Sequence, residues 1–297
     1  MSGPCPTRSG LDPDLIAGAF RAACLAELTA LKPGNVHVYA PGHGMAVTDF
    51  EAAAEAAAPF VAEPCAKTGA RIRAAVAASM ETASCNTNLG IVLLSTPLAV
   101  AAERRAAHES LRQSLSRVLD AIDLDDTADI YSAIRHANPG GLGRSDDADV
   151  SAPPTVGLIQ AMRIAAPRDR IAANYATGFR DIFEDHLPML SAIEQAAADA
   201  APLLDRDDIV ATLYLDLLAR FPDSHIARKF GDATALRVQQ LAHVARQNST
   251  PLVTPLTHPE LIRFDAVLKA NGWNPGTTAD FVVATLFAAD LEQLGSH

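Results

Sequence analysis

The sequence predicts an all-α fold, a single multi-helix globular domain, and three observations carry that expectation. Apolar residues make up 49% of the chain and aromatics only 5%. The core must therefore be built from Ala, Leu, Val and Ile, and Ala has no side-chain entropy cost in a helix, whereas strands favour β-branched and aromatic residues. Helix start and stop signals recur along the chain with few strand signals between them. The segments follow no fixed period, which argues against a solenoid. A length of 297 residues allows one or two domains; similar composition on both sides of the loop at 138–154 favours one, spanning 1–297.

Asp12 before Pro13 places a capping carboxylate ahead of a proline at the first helical position, opening a helix to about Leu31. Leu15, Ala19, Ala22, Ala26 and Leu28 are expected to line its inner face. Lys32-Pro33-Gly34-Asn35 ends it, because the residue before proline is pushed out of the α region. Thr48-Asp49-Phe50-Glu51 reads as a capping box, followed by an Ala-rich helix to about Pro59. Apolar helices follow over 69–84 and 89–105. Further helices are expected over 109–122, 126–137, 155–166, 170–184, 188–198, 205–220, 232–247, 258–270 and 277–293. Residues 138–154, with Pro139-Gly140-Gly141, Gly143 and Pro153-Pro154, read as a mobile inserted loop.

The net charge is −11, from 35 acidic and 24 basic residues. That balance opposes long-range attraction to nucleic acid or to an anionic membrane, so a polyanionic ligand would need clustered cations or a divalent metal. Cys5, Cys24, Cys65 and Cys85 show no CxxC spacing, Cys24 reads as core packing, and a reducing compartment is the simplest setting. Met1 to Asp14 lack the basic-then-apolar pattern of a secretion signal. Leu89 to Ala102, interrupted by Thr96 and Pro97, is too short to span a bilayer. A cytoplasmic enzyme acting on small molecules is the expectation, with homo-oligomerisation left open.

Four polar segments interrupt the apolar pattern. Lys32 to His37, then Gly42-His43-Gly44-Met45 and Asp49, offers glycines that let backbone amides approach a ligand, and a lysine suited to phosphate. Thr68-Gly69-Ala70-Arg71 puts an arginine at a helix start, where guanidinium and amides can grip one anion. Asn86-Thr87-Asn88-Leu89-Gly90 holds more polar groups than a helix cap requires. The last two stretches form a pair. In Asp223-Ser224-His225-Ile226-Ala227-Arg228-Lys229, Asp223 could ligate Mg²⁺ and the cations could neutralise phosphate. In Asn274-Pro275-Gly276-Thr277-Thr278-Ala279-Asp280, Gly276 opens a helix with free amides. Each also reads as an ordinary cap or solvated loop.

In this order the segments resemble the triphosphoribosyl-dephospho-CoA synthase family, from about Glu27 to Phe287. The likeness rests on Glu27, Lys32-Pro33-Gly34, His43, Asp49-Phe50, Gly69, Asn86-Thr87, Gly90, Asp223-Ser224-His225, Phe264-Asp265, Pro275-Gly276 and Ala279-Asp280. The chain departs from the family's usual form at Asn35-Val36-His37, at Gly44 where an Asp is common, and at Leu89 where a Lys is common. The resemblance implies an all-α enzyme that moves the triphosphoribosyl group of ATP to a ribose hydroxyl of 3′-dephospho-CoA, releasing adenine, with Mg²⁺ as cofactor. Asp49 and Asp280 are then expected to stabilise an oxocarbenium-like centre, with His225 or His43 as acid or base and Asp223 on the metal. Lys32, Arg71 and Arg228, with Gly34, Asn86, Thr87 and Gly276, are expected to hold the nucleotide and its phosphates. Two alternatives accompany this reading: a related pentosyl or phosphoribosyl transfer in tetrahydromethanopterin-linked one-carbon metabolism, and a non-catalytic nucleotide- or CoA-binding protein.

Overall fold

The computed structural model describes residues 10–40, 42, 44–83, 86–139, 148–199, 205–249 and 259–296. Fourteen α-helices are found among them, with isolated bridges at His37–Ala40 and Gly42–Met45 in place of a sheet. The helices are α1 (Pro13–Thr29), α2 (Val47–Val61), α3 (Thr68–Ala83), α4 (Leu89–Arg104), α5 (Leu111–Asp120), α6 (Leu124–Ala137) and α7 (Leu158–Ala165). They continue with α8 (Arg170–Ala176), α9 (Leu187–Ala198), α10 (Arg206–Arg220), α11 (Ser224–Phe230), α12 (Asp232–Asn248), α13 (Pro259–Ala270) and α14 (Gly276–Leu294).

Two helices form the centre, and their sequences say why. In α4 nearly every residue from Leu89 to Glu103 is buried, and α14 is buried from Thr277 through Ala288 apart from Asp280. A helix apolar all round can only sit inside. The two pack against each other, with α1 and α10 against α14, α5 and α3 against α4, and the pair α2–α3 extended by α6. Phe20 of α1 meets Phe287 of α14 edge-to-face, with ring centroids 5.9 Å apart. One contiguous core results. Among the described residues no helix is long and apolar enough to cross a membrane.

Most helix boundaries follow the sequence signals; the exceptions have local causes. Asp12 accepts the Asp14 amide as expected, but Ile16, Phe20 and Ala23 face the core while Leu15 and Ala22 face solvent. The first turn of α2 is closed two residues earlier than expected, by Asp49 accepting the Ala46 amide at 2.8 Å. The helix expected over 170–184 is broken after α8 by Gly178 and Phe179, both with positive φ. It resumes as a π-helical turn, Asp181–His186, that runs into α9. Residues 223–229, expected as a loop, form α11, with Asp223 as its cap. Cys24 is a buried free thiol, whereas Cys65 is disulfide-bonded, which the cysteine spacing does not signal. Residues 140–147 of the expected loop lie outside the described residues. Its described C-terminal side is tied to α6 by Tyr131, whose hydroxyl donates to the Ala148 carbonyl at 3.1 Å, and by Arg135, which donates to the Val150 carbonyl.

Candidate active site

The first turns of α4 and α14 meet the last turn of α1, and a cavity of about 410 Å³ opens where they converge. Its walls differ in chemistry. Ile134, Leu158, Ala161, Met162, Ile171 and Ala172, from α6, α7 and α8, make an apolar arm. Glu27, Asn35, Asn86, Thr87, Asn274 and Asp280 add polar groups to the same lining, with Ile171 of the apolar arm beside Gly90 and Asp280. Arg168, Arg228 and Lys229 stand at its side. A mostly apolar concavity with a few convergent polar groups is the usual form of a small-molecule site.

Asp280, one turn into α14, lies against the backbone of Gly90 in the first turn of α4. A Cβ at position 90 would come within 2.0 Å of Asp280 Oδ2 and 2.4 Å of its Cγ, so only glycine leaves room for this carboxyl. Among the described residues no hydrogen bond or ion pair reaches it. Burial, followed by the nearby carboxylates of Asp223 and Glu27, holds its pKa well above the usual range.

Glu27 is differently placed. It is ion-paired with Lys32, which is fully buried and also donates to Asn35 Oδ1 at 3.3 Å. Burial raises the Glu27 pKa, and the Lys32 ammonium pulls it back. Asn35 donates in turn to Asn274 Oδ1 at 2.9 Å, linking the loop after α1 to the entry of α14. Thr87 Oγ1 is buried without a partner among the described residues.

On the cationic side Arg228 pairs with Asp169, whose other oxygen accepts the Ala172 amide at 3.0 Å and caps α8. This bridge sets α8 beside α11. The position of α11 is fixed by Asp223, which accepts the Ile226 amide at 3.0 Å with Oδ1 and both the amide and hydroxyl of Thr278 at 2.8 Å with Oδ2. Ser224 donates to Thr277 Oγ1 at 3.1 Å across the same junction.

Of the sequence-predicted residues, Asp280, His225, Asn86, Thr87, Arg228 and Gly276 are gathered around the cavity. Gly276 donates its amide to the Asn274 carbonyl at 2.8 Å, and a Cβ there would lie 3.5 Å from His225 Nδ1. The remainder stand elsewhere, each in a local bond network. Asp49 caps α2 while its neighbours Met45 and Phe50 reach the wall. Lys32 lies behind Glu27. Gly34 has φ +84° and donates its amide to Asp265 Oδ1 at 2.8 Å. Arg71 is fully buried, ion-paired with Glu103 and donating to the Ala66 and Val61 carbonyls, each at 3.2 Å. Gly69 serves helix contact: its amide donates to Asp126 Oδ1 at 2.6 Å, and a Cβ would strike the Asp126 carbonyl oxygen at 2.4 Å. Asp223, the expected metal ligand, is outside the wall and has both oxygens engaged. His43 lies outside the described residues.

Sequence reasoning passed over Asp169 and Arg168, because an Asp ahead of a short helix looks like any cap. It gave Glu27 no role of its own, because a glutamate late in an apolar helix carries no spacing signal.

A family model described as ATP:dephospho-CoA triphosphoribosyl transferase matches residues 13–297. Among solved structures, the chain is similar to one from Archaeoglobus fulgidus that carries the provisional description triphosphoribosyl-dephospho-CoA synthase. The TM-score is 0.60 at 23% identity, covering 81% of this chain and 98% of the other, which shows a shared fold. No curated protein matches the sequence.

Proposed function

Because the chain belongs to the ATP:dephospho-CoA triphosphoribosyl transferase family, and is a transferase enzyme of that kind, we propose that the cavity between α1, α4, α8, α11 and α14 is where the transfer occurs. The observation that carries this reading is the division of its walls. Arg228, Lys229 and Arg168 supply positive charge for a triphosphate on a protein whose net charge is −11. The apolar arm suits the flat base and the uncharged stretch of a dephospho-CoA acceptor. Asp280 and His225 line the same cavity, and the glycosidic carbon is placed beside them.

Breaking a nucleoside C1′–N bond builds positive charge on the ribose and negative charge on the base. Asp280 and His225 act on those atoms, while Asn86 and Thr87 hydrogen-bond the sugar. Lys32 contributes from behind Glu27, and Asp223 by seating α11. Among the described residues no group of three or more His, Cys, Asp or Glu is placed to hold a metal ion. Mg²⁺ bound with ATP would add its charge to that of Arg228, Lys229 and Arg168 beside the triphosphate. The expected setting is the cytoplasm.

Adenine release from ATP, measured with and without dephospho-CoA, tests the reading. Release that depends on the acceptor, with the triphosphoribosylated product seen by mass spectrometry, is the expected result. Asp280→Ala should lower the rate by about 10²–10³ with helical content unchanged by circular dichroism. Near-normal release in that variant would remove Asp280 from the mechanism.

A further inference from the structure

Two carboxyl groups, Glu27 and Asp280, line the cavity in unlike surroundings. Glu27 is backed by a buried ammonium: Lys32 holds one oxygen, Oε1, and among the described residues nothing hydrogen-bonds to Oε2. Asp280 rests on the bare backbone of Gly90 with no cation in contact. Placing one acid in contact with an amine and another against backbone and other carboxylates separates their protonation states, which is the arrangement by which one site supplies both an acid and a base.

We propose that Glu27 is the general base for the acceptor hydroxyl and Asp280 the general acid for the departing adenine, with Lys32 as the residue that positions the base and keeps it ionised. This rests on the cavity being the transfer site. As the acceptor oxygen bonds to C1′, its proton passes to Glu27 Oε2. The C1′–N bond breaks with its electron pair remaining on adenine, and a ring nitrogen of adenine takes the proton of Asp280. Glu27 ends protonated and Asp280 ionised, and exchange with water restores both.

Burial raises the pKa of both carboxyls, and only Glu27 has a cation in contact to oppose it. Glu27 is faced by Lys32 from its own helix end, by Asp280 from α14, and by the buried Cys24 and Tyr214. Lys32 alone among these favours the ionised form. Around Asp280 stand Asp223, Glu27 and Asp169, which oppose ionisation, and Arg228 and Lys32, which favour it. The balance lies with the protonated acid.

The test is the pH dependence of turnover with ATP and dephospho-CoA, in the wild type and in Glu27→Gln, Asp280→Asn and Lys32→Met. Wild-type activity should fall on the acid side as Glu27 protonates and on the alkaline side as Asp280 ionises. Glu27→Gln should lose about 10²–10⁴ in kcat and the acid limb, with ATP affinity by calorimetry unchanged. Asp280→Asn should lose the alkaline limb. Lys32→Met should move the acid limb to higher pH, a shift that a merely structural lysine would not produce. If the single variants leave a charge buried and do not fold, the double variant Glu27→Gln/Lys32→Met removes both charges together and should show the same loss of kcat. An acid limb unmoved by Lys32→Met, or an alkaline limb that survives Asp280→Asn and disappears in His225→Asn, overturns the assignment. Unchanged ATP affinity in Arg228→Ala would fault the site itself, and the proposal with it. Full turnover in Glu27→Gln, with Arg228→Ala impaired, would reject the base alone.

Discussion

At the scale of single residues, the same side-chain type takes opposite roles according to what surrounds it. Arg71, at an expected helix start, and Arg228, in an expected loop, both read from the sequence as phosphate ligands. In the fold Arg71 is sealed against Glu103 beneath α2, α3 and α4, whereas Arg228 lines the cavity. Breaking a buried pair by removing one partner costs about 3–5 kcal/mol. Arg71→Leu should therefore lower stability by that amount, read by urea denaturation, and leave the ATP affinity of the folded fraction intact. Weakened ATP binding in a fully stable Arg71→Leu would return this arginine to the site. Gly90 makes the complementary case. Gly90→Ala adds one methyl group where Asp280 Oδ2 would be 2.0 Å away and Ile171 Cδ1 2.9 Å away. A displacement of about 1 Å in a reacting group can cost 10²-fold in rate, so turnover should fall by about that factor while α4 remains helical. Wild-type kcat in Gly90→Ala would show that Asp280 need not sit where it does.

At the scale of elements, the sequence is most legible where one helix decides its own ends, and least where a neighbour decides them. The caps of α1, α5 and α10 are local and were foreseeable. The identity of α11 was not, because Asp223 closes it while also holding Thr278 from α14, a contact 55 positions away. The break after α8 was equally hidden: only Gly178 hints at it, and the left-handed Phe179 (φ 60°) is tolerated because its ring is fully buried. The π-turn that follows carries His186, also fully buried, with edge contacts to Phe221 and Phe281. Burial first, then the charges of Arg170 and Arg220, depress its pKa to about 3. From the ordinary value near 6.5 down to about 3, the unfolded chain binds a proton that the folded chain excludes. Stability contributed by the neutral ring is complete above the higher value and is lost as pH falls, at up to about 1.4 kcal/mol per pH unit. His186→Phe should flatten this dependence between pH 6.5 and 4.5, by about that slope, in denaturant titrations. Parallel curves for the two proteins would exclude His186 as its source.

At the scale of the whole molecule, the site is a property of the assembly of helices. Glu27 and Asp280 come from nearly opposite ends of the chain, and Asn86, Asp169 and Arg228 from three regions between. The all-α class and the cationic segment at 223–229 were readable because composition and charge are local. The pairing of Glu27 with Lys32, and of Asp169 with Arg228, depends on which helices become neighbours, and no single window contains that. A ligand bound among so many elements stabilises all of them. ATP at about 100 times its Kd should add about 2.7 kcal/mol to the folded state, seen as a rise in Tm. Arg228→Ala at the same nucleotide concentration should rise less. A Tm insensitive to ATP would place the nucleotide elsewhere. There is also a consequence in time. The helix that fills the middle of the core brings one of the two carboxyls with it. A single core folds as a unit, and without that helix both the interior and the vestibule stay open. Competence arrives in a single docking step that completes the interior and the chemistry together.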